Sequence, residues 1–195
     1  MSLVGALTPL GKAAHNYWLR EVVAYTLAGS VSALLVGALL GAIGHRFRVT
    51  GLYWLVVALA LILAARELGW VHFQLPERER QTEKVWAHEF GFVTAAAMWG
   101  FHVGLGFTTY VRYGGLWVLT LVAFAVGEPR YGAALMLLYW FGRALPLWVM
   151  PLFWQTRDTG ELMEAIAANR RLYNRSEALH LVWSAGILLI WVLQR

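Results

Sequence analysis

One stretch of the chain constrains its fold more than any other. Residues 131–153, YGAALMLLYWFGRALPLWVMPLF, are apolar apart from a single charge, Arg143. A helix of this length is long enough to cross the hydrocarbon core of a bilayer, where an unpartnered charge costs several kcal/mol. The run therefore predicts a membrane helix in which Arg143 either extends to a lipid headgroup or forms a polar feature inside a helix bundle. Glu89 and Glu128 are its candidate partners within the chain.

Further apolar runs extend this prediction to the whole chain. Hydrophobic residues make up 59% of the 195 residues and charged residues 14%, against about 25% charged residues in soluble domains. We therefore expect an all-α polytopic integral membrane protein with about six membrane helices. The other five predicted spans are residues 22–43, 51–65, 90–109, 113–127 and 178–193. This single transmembrane domain, 1–195, divides into a first half (1–73), a charged connector (74–89), a second half (90–153), an interfacial amphipathic helix (157–176) and a last span (177–195).

Small residues recur along the first of these spans. Gly29, Ala33, Gly37 and Gly41 follow one another at four-residue intervals, which places them on one face of a helix. Small side chains allow helix backbones to approach closely in a bilayer. The stripe predicts close helix packing, either within the chain or at the seam of a homodimer.

Two segments have the composition of interrupted helices: residues 3–11, LVGALTPLG, and residues 103–115, VGLGFTTYVRYGG. Interrupted helices at membrane depth are tolerated where they line a cavity or are buried in protein, and paired interruptions mark inverted repeats. The chain is expected to contain either such a repeat, with two broken helices, or two unrelated helix ends. The candidate ligand or ion-pair residues in and near these segments are Thr8, Pro9, Thr108, Thr109, Tyr110 and Arg143.

Histidines are weak candidates for binding a redox cofactor. His88 and His102 lie fourteen residues apart on one predicted helix, about four turns, and His180 could face them from another helix. These three residues are the haem-ligand candidates, although a hydrogen-bonded bundle histidine is the more ordinary interpretation of His102. We expect no cofactor and no metal site. The 195 residues contain no cysteine, which excludes thiol chemistry from them.

Three sequence elements occur together: GALTPLG (5–11), the PERERQTEKVW connector and YWFGRALPL (139–147). With the small-residue span they resemble the CcdA/DsbD-type transmembrane family of cytochrome c biogenesis proteins, over about residues 1–150. That family passes reducing equivalents across the membrane through two cysteines, one in each broken helix of an inverted repeat. In this chain Leu10 follows Pro9, and no cysteine is present. The resemblance therefore implies a cysteine-free divergent relative that shares the architecture without the thiol relay.

The sequence leaves three functions open. The first is a redox-inactive membrane subunit or scaffold of a larger membrane complex, without enzyme activity. The second is a small-anion or solute transporter with a midplane site near Arg143, and the third is a haem- or quinone-associated membrane redox subunit. We expect the first, because the chain is short and has few intramembrane polar groups. The expected location is a prokaryotic-type cell membrane, multi-pass, with the bilayer and other membrane subunits as partners and no nucleic acid.

Overall fold

Helices and the connections between them make up the part of the chain that the structure describes. The computed structural model describes residues 15–47, 51–75, 85–106, 114–153 and 168–194, and no strand occurs in these ranges. The helices are α1 (His15–Arg46), α2 (Gly51–Glu67), α3 (Val85–Phe90), α4 (Phe92–Gly104), α5 (Gly115–Val126), α6 (Pro129–Phe153) and α7 (Arg170–Leu193). The prediction of an all-α protein is confirmed for these residues.

Two of the described helices are long and apolar enough to cross a membrane. The candidate spans lie in α1, over Trp18–Arg46, and in α6, over Pro129–Val149. The expected arrangement of six membrane helices is therefore not supported, and neither is a multi-pass protein of that kind. Helices α2, α4 and α5 have 17, 13 and 12 residues, fewer than the roughly 20 that a bilayer requires.

Glycine turns mark where the third and fourth predicted spans end. The apolar run 90–109 yields only the shorter helix α4, because Gly91 and Gly106 adopt φ values of 79° and 80° on either side of it. Gly127, with φ 64°, ends α5 in the same way. Residues other than glycine rarely adopt this backbone conformation. Gly91 and Gly106 thus bound α4 inside a run whose hydropathy alone indicates a longer span, whereas Gly127 ends α5 where the sequence predicts its end.

The small residues of α1 pack against α4 within the same chain. A Cβ added at Gly100 would overlap the Tyr25 carbonyl, and one added at Gly104 would overlap the Gly29 carbonyl. Each step of four residues along α4 matches a step of four along α1, so the two helices run parallel. Their backbones touch because glycine lacks a side chain.

The same face of α1 also packs against α6. A Cβ at Gly37 would overlap the Gly132 carbonyl, and one at Gly41 would overlap the backbone just before α6. The Trp140 side chain covers Gly29 further back along α1, so α1 and α6 run antiparallel. The small-residue stripe therefore serves packing within the chain.

Hydrogen bonds to Thr26 also join α1 and α6. The Trp140 indole donates to the Thr26 carbonyl oxygen at 2.9 Å, and the Trp148 indole donates to Thr26 Oγ1 at 3.0 Å. The Thr26 hydroxyl in turn donates to the Val22 carbonyl oxygen at 2.7 Å. The buried Trp140 and the partly buried Trp148 thus have their indole N–H groups satisfied.

Helices α2, α5 and α7 form a second hydrophobic cluster. Its buried residues are Val56, Val57, Ala60, Leu63, Ala64, Leu75, Val118, Ala125, Ala178, Leu181 and Ala185. On its other face, α5 contributes Leu116 to the first cluster, where the largest buried side chains include Trp99 and Trp140. Helix α5 therefore connects the two clusters.

The last helix begins earlier than the sequence predicts. The sequence predicts a separate interfacial helix over residues 157–176, followed by a span over 177–195. Helix α7 runs without interruption from Arg170 to Leu193, so residues 170–176 form its first two turns. The rest of the predicted interfacial helix stays a prediction. Residues 157–167 lie outside the described residues. Residues 3–11 do as well, and the inverted repeat stays a prediction.

Candidate functional site

Helices α4 and α5 follow one another along α1 with an interruption between them. Helix α4 ends where Gly104 meets Gly29, and α5 ends where the Phe124 carbonyl meets Gly44, further along α1. Helix α4 thus ends, and α5 begins, at the two edges of the glycine- and threonine-rich segment 103–115. The residues between them, 107–113, lie outside the described residues.

Two carboxylates from different helices meet the N-terminal end of α5. Glu177 of α7 accepts a hydrogen bond from the Gly115 N–H, with Oε1 2.9 Å from the nitrogen. Glu67, the last residue of α2, accepts a hydrogen bond from the Gly114 N–H. The first N–H groups of a helix have no partner within it and carry partial positive charge, so carboxylates stabilise this end. Glycine suits position 115, because a Cβ there would lie 2.6 Å from Glu177 Oε1.

Arg66 neutralises one of these carboxylates and holds the chain segment that follows α2. Its Nη1 donates to Glu67 Oε1 at 2.6 Å, and its Nε donates to the Phe73 carbonyl oxygen at 3.0 Å. The guanidinium carbon lies 5.7 Å from the centre of the Phe73 ring, within cation–π distance. The Arg66 and Glu67 side chains are only 17% and 5% exposed. Removal of either partner would leave a poorly solvated, uncompensated charge.

Burial raises the pKa of Glu67 above its usual value. The positive charge of Arg66 and the hydrogen bond from Gly114 lower this pKa, whereas the negative charge of Glu177 raises it. The net direction is upward, so Glu67 holds a proton more tightly in the folded chain than an exposed glutamate does. The site therefore combines two interacting carboxylates, one arginine and the start of a helix.

A basic pocket opens beside the Arg66–Glu67 ion pair. It has a volume of about 770 Å³, within the range of about 300 to 1,000 Å³ typical of ligand sites. It lies between the segment after α2 and the first turns of α7. The polar residues that line it include Arg66, Glu67, His72, Arg171, Asn174 and Arg175. Three arginines face one carboxylate here, so the pocket carries net positive charge.

The predicted site residue Arg143 lies half-buried in α6. Its Nη1 donates to the Tyr139 hydroxyl oxygen, 3.2 Å away and one turn earlier. Tyr25 of α1 is within electrostatic range of both residues. Glu128, one of the suggested partners, lies just before the start of α6, and Glu89 is exposed on α3. The structure thus gives Arg143 a phenol partner on its own helix, and its functional role stays a prediction.

The other predicted ligand residues lie outside the described part of the chain. They are Thr8, Pro9, Thr108, Thr109 and Tyr110. Their assignment to a binding site therefore stays a prediction.

The histidines lie in separate parts of the bundle. His102 packs against the Trp86 ring, with centroids 5.2 Å apart, whereas His180 is exposed on α7, a helix whose buried residues belong to the second cluster. His88 belongs to α3. The two clusters thus separate His102 from His180 instead of presenting them as a facing pair. Among the described residues, no group of three or more His, Asp or Glu side chains could hold a metal ion.

Sequence reasoning misses the three charged residues that the structure brings together. Arg66 and Glu67 end one apolar run and Glu177 begins another, positions where charged residues ordinarily mark a helix boundary. The chain has only 11 acidic residues, and two of them, Glu67 and Glu177, lie at the ends of apolar runs. This placement is the signal by which the sequence could have indicated the site. Their meeting at one helix terminus depends on the packing of α2, α5 and α7, which the sequence pattern does not reveal.

Comparison with known proteins gives relatives that share one name. The chain is 28% identical over 153 residues to "Methylamine utilization protein MauF" of Paracoccus versutus, covering 75% of this chain and 56% of that protein. It is 29% identical over 159 residues to the protein of the same name from Paracoccus denitrificans, covering 77% and 57%. It is 30% identical over 154 residues to that of Methylorubrum extorquens, covering 72% and 52%. The chain thus spans about half the length of the curated relatives it matches.

The comparisons correct the sequence-based assignment. No family model matches the chain, and no solved structure matches it either. The predicted resemblance to the CcdA/DsbD-type family is wrong, because the relatives are MauF proteins and not cytochrome c biogenesis proteins. The description of the chain as CcdA-like is wrong for the same reason. Neither the relatives' names nor the described residues support transport.

Proposed function

We propose that the chain is an accessory membrane protein of methylamine utilization that acts as a subunit or scaffold and carries out no redox chemistry itself. The observation that carries the proposal is the similarity, over about three quarters of the chain, to several relatives that are all named for methylamine utilization. A scaffold agrees with a chain that has no cysteine. It also agrees with charged residues that tie helices together, as Glu177 does at the start of α5.

The outer face of α1 supports a membrane location. Leu27, Val31, Leu35, Leu39 and Ile43 recur every four residues, and each is between 42% and 63% exposed. Soluble proteins rarely expose a continuous apolar stripe of this size. In a bilayer the same stripe faces lipid tails, while the small residues on the opposite face pack inside the protein. In this arrangement α1 and α6 cross the bilayer as an antiparallel pair.

Growth on methylamine tests the proposed role. We expect deletion of the gene for this chain to abolish or strongly slow growth of the host organism on methylamine, and to leave growth on ammonium with another carbon source unchanged. Complementation with the intact gene should restore growth. Unimpaired growth of the deletion strain on methylamine would contradict the proposal.

Membrane extraction tests the proposed location separately. We expect the tagged chain to stay in the membrane pellet after an alkaline carbonate wash and to be released by detergent. Replacement of Leu35 and Leu39 by Glu should shift it toward the soluble or degraded fraction, because each charge facing lipid near the middle of a helix costs roughly 2.5 to 3.5 kcal/mol. Release of the unaltered chain by carbonate would show that α1 and α6 do not span the bilayer.

A further inference from the structure

The basic pocket beside α2 and α7 has charges that the ion pair does not use. Arg66 is engaged by Glu67 and by the Phe73 carbonyl. Arg171 and Arg175, by contrast, are exposed and lie four residues apart on α7, on one face of the helix. Two arginine forks on one side of a concave pocket suit a phosphate group, whose oxygens accept several charge-assisted hydrogen bonds.

The rim of the pocket is apolar and aromatic. The segment after α2 contains Leu68, Trp70, Val71 and Phe73, which are 40%, 77%, 44% and 39% exposed. Leu68, Val71 and Phe73 also line the pocket. A free inorganic anion makes no use of exposed apolar side chains, whereas a lipid presents a phosphate and hydrocarbon tails side by side. Exposed tryptophan in particular is favoured where a bilayer meets water.

We propose that the basic pocket binds the phosphate group of a phospholipid, with Arg171 and Arg175 as its phosphate ligands and the apolar rim around Trp70 against the acyl chains. His72, which also lines the pocket, adds a hydrogen-bond donor at the headgroup. The inference rests on the proposed membrane location. It adds a specific lipid site at the end of α2, where the ion pair fixes the segment that forms the rim.

Lipid titration of the purified full chain tests this site. The chain in dodecyl maltoside is titrated with dioctanoyl phosphatidylglycerol, and in separate arms with inorganic phosphate and dioctanoylglycerol, while its thermal unfolding is followed. We expect the phospholipid to raise the melting temperature and the two other probes, at equal concentration, to leave it unchanged. The double variant Arg171→Gln with Arg175→Gln should bind the phospholipid roughly thirtyfold more weakly, the factor that two arginines near a lipid surface supply.

A matched control separates the pocket from overall charge. Arg46→Gln with Arg130→Gln removes two other exposed arginines, and we expect it to bind the phospholipid as the unaltered chain does. Trp70→Ser should weaken phospholipid binding by losing the apolar contact. Circular dichroism checks that all variants keep their helical content.

Three results would overturn the inference. The assignment of Arg171 and Arg175 as phosphate ligands would be wrong if their double variant bound the phospholipid as tightly as the unaltered chain. It would also be wrong if the pocket and control variants lost the same phospholipid affinity. A shift with inorganic phosphate as large as that with the phospholipid would assign the site to a free anion. Because the titration is done in detergent, it reports on the pocket whether or not the chain passes the carbonate test of membrane location.

Discussion

The Glu177 carboxylate provides the sharpest test of the site at the start of α5. In Glu177→Ala the Gly115 N–H loses the acceptor 2.9 Å away. A hydrogen bond to a charged group is worth about 1.5 to 3 kcal/mol, and the attraction of a carboxylate to a helix N-terminus adds about 0.3 to 1 kcal/mol. We therefore expect this variant to lower the free energy of unfolding by about 2 to 4 kcal/mol. Glu177→Gln keeps an acceptor oxygen and relieves repulsion of Glu67, so its loss should be about 1 kcal/mol or less.

Unfolding of the purified chain in detergent micelles, followed by circular dichroism, measures these differences. Glu89→Ala is the matched control, since Glu89 is exposed on α3, and its effect should stay within about 0.5 kcal/mol. A Glu177→Ala variant as stable as the control would refute the assigned capping of α5. Equal losses in Glu177→Ala and Glu177→Gln would show that the charge, and not the accepted hydrogen bond, accounts for the stabilisation.

Three further predictions concern Glu67 and the packing of α1 against α6. The raised pKa of Glu67 means that its contribution to stability is present below 4.5, its ordinary pKa, and is lost as pH rises through the raised value. Thermal melts between pH 4 and 8 should therefore show Glu67→Gln gaining stability relative to the unaltered chain as pH rises, and a falling difference would contradict this. Gly37→Ala should lower the free energy of unfolding by about 1 to 3 kcal/mol, because the added Cβ would overlap α6. Gly142→Ala, whose added Cβ would meet open space, should raise the free energy of unfolding by up to about 1 kcal/mol. Denaturant unfolding in micelles measures both changes. Thr26→Val should cost about 1 to 3 kcal/mol because the Trp148 indole loses its acceptor, and a red-shifted tryptophan emission should report the loosened contact.

The helical class and the internal packing follow from the sequence for direct physical reasons. An apolar chain with glycines at four-residue intervals has few ways to pack other than helix against helix. The contact of Gly37 with Gly132 realises that expectation. The sequence also predicts an interrupted helix over residues 103–115, and α4 ends at Gly104, within that segment.

The number of spans and the charged site were not accessible in the same way. Hydropathy measures how apolar a run is, but the positive φ of Gly91 and Gly106 decides where its helix starts and stops. Likewise, Glu67 and Glu177 lie 110 residues apart in sequence, and only the packing of three helices brings them to one helix terminus. The family resemblance failed because short motifs rich in Gly, Leu and Pro recur in many apolar helices and carry little specificity.

The central position of α1 has a consequence for the order in which the protein matures. Its Thr26 carbonyl accepts a hydrogen bond from Trp140, 114 residues later in the chain. At synthesis rates of about 5 to 20 residues per second, α1 emerges roughly 6 to 23 s before that partner exists. During this interval its glycine face has no α6 to cover it. Helix α1 thus reaches its final packing only after α6 has been translated.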